Sequence, residues 1–81
     1  MKLYEFKSKS LLLLINYKPK LKREQELRDL LIARIDNLRS MTLPWLLRTL
    51  YEIVEHENVS EKFKDVCRKI IELANKLEFE N

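Results

Sequence analysis

Apolar residues recur along the last part of the chain at Phe63, Val66, Cys67, Ile70, Leu73, Ala74 and Leu77. Steps of three and four keep them on one face of a helix. Ser60 stands where an N-cap is needed, able to accept from an exposed amide of the first turn. Lys62, Asp65, Lys69, Glu72 and Lys76 alternate in sign three or four residues apart, the pattern of a solvated face. A second helix is predicted from about Thr42 to His56. Thr42 is placed to cap it, and Pro44 falls in the first turn, where amides have no intrahelical partner. Leu43, Leu46, Leu47, Leu50 and Val54 form its stripe, widened by Trp45, Tyr51 and Ile53. A third helix is predicted from about Lys20 to Arg39, on the spacing of Leu27, Leu30, Leu31, Ile35 and Leu38. Pro19 suits its start, and Glu24 and Arg28 are set for an i,i+4 pair.

Residues 1–17 resist this treatment. Leu11, Leu12, Leu13, Leu14 and Ile15 are consecutive, so no period separates a short helix from a short strand. A two-turn helix over Leu11–Tyr17, capped by Ser8 or Ser10, is the preferred reading. A hairpin of "KLYEF" and "LLLLI" around "KSKS" is the alternative, and alone it is only marginally stable. The expected fold is therefore all-α: a small bundle of three to four helices with a short N-terminal helix or an extended arm. A length of 81 residues implies one domain, with 1–18 as an N-terminal arm and 19–81 as the helical body.

Composition sharpens this in three ways. Apolar residues make up 46% of the chain, too many for a disordered segment despite 36% charged residues. Glycine is absent, which argues against tight β-hairpins. Dense Lys, Glu, Ile and Leu resemble thermophile usage. The single cysteine, Cys67, permits no internal disulfide, so an intracellular, cytoplasmic location is expected. No apolar run approaches the ~20 residues of a membrane span, and membrane attachment is not expected. The net charge of +3 is uneven: residues 1–23 carry seven cations and one Glu, whereas the remainder is mildly acidic.

Catalytic chemistry finds little support. His56 and Cys67 lack metal-ligand spacing, and Cys67 falls on an apolar stripe, so no metal, cofactor or enzymatic activity is expected. A helix-turn-helix reading of "SMTLPWLLRTLYEI" fails because the first turn offers apolar groups where base edges need polar ones. Two features remain. Leu11, Leu12, Leu13, Leu14 and Ile15, with Trp45, are more apolar surface than so small a body can bury, and are expected to bind a partner. Lys18, Lys20, Lys22 and Arg23, with Tyr17, combine cations and an aromatic ring as nonspecific nucleic-acid binders do. The sequence thus points to a non-enzymatic accessory subunit or adaptor docking on a larger protein or on a second copy, within a nucleic-acid-processing complex. The alternative is a nonspecific DNA- or RNA-binding protein acting through the basic N-terminal region.

Overall fold

The computed structural model describes residues 1–78. Four helices follow one another: α1 (Leu3–Asn16), α2 (Lys22–Asp36), α3 (Leu43–His56) and α4 (Glu61–Ala74), with a 3₁₀ turn at Ser40–Thr42 before α3. The all-α bundle expected from the sequence is what forms. Each helix packs against its sequence neighbours, and α1 also packs against α4, closing the ring.

Specific contacts fix the direction of each helix. Tyr17, just after α1, meets Glu24 in the first turn of α2 and Ser60 before α4. Arg23 at the start of α2 pairs with Glu57 just after α3. At the other end, the amide of Glu78 donates to the Met1 carbonyl at 2.9 Å. Neighbouring helices therefore run antiparallel, as short connectors demand. The core is a continuous cluster from all four helices, with Phe6, Leu14, Leu31, Ile35, Leu50, Phe63, Cys67 and Ile70 fully enclosed.

Helix α4 follows its sequence signals closely. Ser60 Oγ accepts from the Phe63 amide at 3.3 Å, the N-cap bond expected of it. Its ion pairs are arranged differently from the expected alternation. Arg68 reaches Asp65 at 2.7 Å and Glu61 at 3.3 Å, and Lys64 also approaches Glu61. In α3, Pro44 does lie in the first turn. Thr42 makes no side-chain cap; its hydroxyl turns back and donates to the Arg39 carbonyl. Helix α2 is shorter than expected at both ends. Pro19 lies in the connector, Leu21 takes the N-cap position, and Asn37 ends the helix with its side chain on the Ala33 carbonyl.

The N-terminal region departs most from expectation. It is neither an arm nor a two-turn helix: α1 runs for 14 residues and forms a wall of the bundle. Ser8 and Ser10 lie inside it, so neither is a cap. The inward line is Phe6, Ser10 and Leu14, spaced four apart, which puts a serine hydroxyl in the core with no hydrogen-bond partner among the described residues.

Candidate docking groove

The five-residue apolar run sorts by helical angle once α1 is formed. Leu14 is fully buried, Leu11 and Leu13 are half-buried, and Leu12 and Ile15 remain 59% and 60% exposed. A single helix cannot turn consecutive residues the same way, so part of any such run must face outward. Leu12 and Leu13 border an open groove of about 580 Å³ between α1 and α4. Val66 and Leu73, on the α4 side, contribute half-buried apolar surface opposite them. The antiparallel packing of the two helices sets the groove's length. Lys9 to Tyr17 on one wall and Val66 to Lys76 on the other correspond to roughly 12–15 Å at helical rise.

Charge is distributed unevenly around this apolar floor. Lys9, Lys69 and Lys76 line the groove and are exposed, against one carboxylate, Glu72. Among the described residues no ion pair engages any of these three lysines, whereas Arg23, Lys64 and Arg68 are all matched with carboxylates. The groove is therefore apolar at its base and positive at its margin.

One end of the groove is closed by a polar knot. Glu24 is fully buried, and its carboxyl accepts from the Tyr17 hydroxyl, from the Ser60 amide at 3.2 Å and from Ser60 Oγ at 3.2 Å. Glu24 thus points inward instead of pairing with Arg28. Arg28 instead donates to the Tyr17 carbonyl at 3.0 Å, holding the end of α1. The Tyr17 ring rests on Phe63 with centroids 5.3 Å apart. Burial first, and then the hydrogen bond to Glu24, hold the Tyr17 hydroxyl above its ordinary pKa, so it stays a donor at neutral pH. A tyrosine held in this way is no free platform for a nucleic-acid base.

The remaining basic residues divide. Arg23 grips Glu57 with two bonds of 2.7 and 3.2 Å and also approaches Glu26, so its charge is matched within the chain. That pairing in turn holds the Glu57 carboxyl below the ordinary range. Lys18 and Lys20 border a hollow near the start of α4 together with Lys62, and Lys22 is exposed on the first turn of α2. Trp45 is 61% exposed, which places it outside the core. It lines a separate hollow with Arg34, Leu38 and Leu46, so the α1 run and Trp45 do not form one surface.

Cys67 is enclosed in the core, and burial pushes its thiol up to about 12, leaving it inert at neutral pH. Exposed His56 lies 3.7 Å from the Glu55 carboxylate. No group of three or more His, Cys, Asp or Glu is placed to hold a metal ion among the described residues. Nor is any described helix long and apolar enough to cross a membrane. Sequence reasoning missed the α4 half of the groove: Val66, Lys69, Leu73 and Lys76. The signal was present, since Val66 and Leu73 are seven residues apart, as are Lys69 and Lys76, so each pair lies along one line of the helix. Comparison with family models, with curated proteins and with solved structures finds no match to this chain.

Proposed function

We propose that this chain is a non-enzymatic docking module, an accessory subunit that seats part of a larger protein in the groove between α1 and α4. The observation that carries the reading is the groove itself. Leu12 is exposed, and Leu13, Val66 and Leu73, half-buried against the core, leave the rest of their apolar surface open in the groove. Apolar surface left in a concave, charge-rimmed strip gains free energy when a partner covers it. A photo-reactive amino acid at Leu12 tests this in the native source, with the same group at Glu52 on exposed α3 surface as control. The expected result is one protein adduct at position 12, absent at position 52 and resistant to nuclease. Equal labelling at both positions would count against the groove.

A second reading is nonspecific nucleic-acid binding, supported by the exposed Lys18 and Lys20 gathered with Lys62 around one hollow and by nearby Lys22. It predicts affinity for single-stranded DNA that falls steeply with salt. A triple change of Lys18, Lys20 and Lys62 to Glu should abolish the gel shift; an unchanged shift would remove the reading. Arg23, paired with Glu57 at the surface, and Tyr17, bonded to Glu24 and Ser60, are left out of it.

A further inference from the structure

We infer that the occupant of the α1–α4 groove is an acidic amphipathic helix of two to three turns. This rests on the docking reading and adds the chemistry of the partner. Both walls of the groove are helices, and the groove between them runs for roughly 12–15 Å, the length of eight to ten helical residues, with Val66 and Leu73 about 10 Å apart along α4. A helix laid in such a strip inserts side chains at i, i+3 or i+4, and i+7. Leu12, Leu13, Val66 and Leu73 provide the surface they would meet.

Charge selects among helices. Lys9, Lys69 and Lys76 line the strip, exposed and without intramolecular ion pairs among the described residues. Carboxylates flanking the apolar face of the partner would meet them. The same charges disfavour a second copy of this chain. Two such grooves face to face would set both lysine trios against each other, with only Glu72 from each copy to offset them. A nucleic acid finds little to stack on here, because Tyr17, the one aromatic ring among the described residues lining the groove, is held at its hydroxyl by Glu24 and Ser60 and packs at a tilt against Phe63. The open, elongated shape also suits a helix better than an enclosed small ligand.

The test uses the full chain and designed probes. One is a fluorescent, side-chain-stapled helical peptide with Leu at positions 1, 4, 5 and 8 and Glu on both flanks. Its counterpart replaces every Glu with Lys. The Glu peptide is expected to bind, shifting amide NMR signals of α1 and α4 and not those of α3, and to outbind the Lys peptide by about tenfold or more. The variant K9E/K69E/K76E, altered only at exposed positions, should invert that preference while keeping its circular dichroism and melting curve. Equal binding of both peptides, or preference of the native chain for the Lys peptide, overturns the inference. So does tighter binding at the groove to phosphatidylserine vesicles or to oligo-dT than to the Glu peptide, or concentration-dependent self-association that shifts the same signals. A position-12 adduct together with failure of the Glu peptide would leave the docking reading standing and remove the acidic-helix inference alone. Absence of the adduct would remove the reading beneath it.

Discussion

Helices α1 and α4 are each 14 residues long and lie antiparallel along one side of the bundle. They use their apolar residues in opposite ways. Helix α4 turns Phe63, Cys67, Ile70, Ile71 and Ala74 inward, leaves only Val66 and Leu73 half-buried at the groove, and is otherwise charged on its outer face. Helix α1 turns only Phe6, Ser10 and Leu14 fully inward, one of them polar, and leaves Tyr4, Leu12 and Ile15 in solvent. The first arrangement puts most of its apolar surface where burial stabilises the fold. The second holds apolar side chains where the fold gains little from them and gives a core position to a hydroxyl without a partner. Burial, and not apolar character, decides what a residue contributes to stability. By that measure the outer face of α1 is free to serve binding.

The sharpest contrast lies in alkaline solution, where α4 carries a buried titratable group and α1 carries Ser10. The folded Cys67 thiol keeps its proton to about pH 12, whereas the unfolded chain releases it near the ordinary thiol value of 9.0. The folded state then binds more protons across that window, so stability is complete below pH 9 and falls as pH rises. The loss attributable to Cys67 approaches roughly 4 kcal/mol at pH 12. Raised Tyr17 acts in the same direction above pH 10.0. Urea unfolding from pH 8 to 11.5 should show a shallower decline for Cys67→Ala than for the native chain; parallel curves would contradict it.

A smaller effect comes from truncating each helix in turn. Ile70→Ala, at a fully enclosed position, should cost about 3 kcal/mol through lost transfer energy and a cavity. Leu12→Ala should cost less than about 0.5 kcal/mol, since its side chain is already largely hydrated. Chemical denaturation of the pair measures the difference, and similar values would erase the distinction between the helices. Glu24→Ala follows, at about 2 kcal/mol, because it removes the acceptor of the Ser60 amide and one of the two partners of the Tyr17 hydroxyl. Glu24→Gln, whose amide oxygen still accepts, should lose less. Opposite in sign is Ser10→Ala, expected to be neutral or to stabilise by about 1 kcal/mol by removing a buried hydroxyl without a partner among the described residues. A clear fall in melting temperature for Ser10→Ala would mean that the hydroxyl has a role the geometry does not show.

The four elements were not equally legible in the sequence. Helix α4 announced itself through Ser60 and a regular stripe, and α3 through Pro44 and its leucines. In α2 the stripe was right except for Leu30, which is 40% exposed, and the ends overran, because Lys20, Leu21, Leu38 and Arg39 are compatible with a helix that the connectors prevent. In α1 the run Leu11–Ile15 drowned the period. The line Leu3, Phe6, Ser10 and Leu14 carried it, but a serine on that line reads as a boundary. Glu24 misled for a related reason. Local spacing offered Arg28, yet Glu24 stands three before Leu27 and seven before Leu31, on the buried side of its own helix. Half of the groove was visible as apolar excess. The other half comes from a helix distant in sequence, and only tertiary packing brings the two together.

The Glu24 knot also bears on how the chain assembles. Helices α1 and α2 form one hairpin and α3 and α4 another, and within the first hairpin Glu24 meets only the Tyr17 hydroxyl. Its bonds to Ser60 span 36 residues and exist only once the hairpins have met. A half-molecule would hold a carboxylate short of donors against an unfinished apolar face, so neither hairpin should persist alone. Docking of the hairpins and completion of that carboxylate's hydrogen bonds then become one cooperative event, which favours all-or-none folding over stepwise accretion.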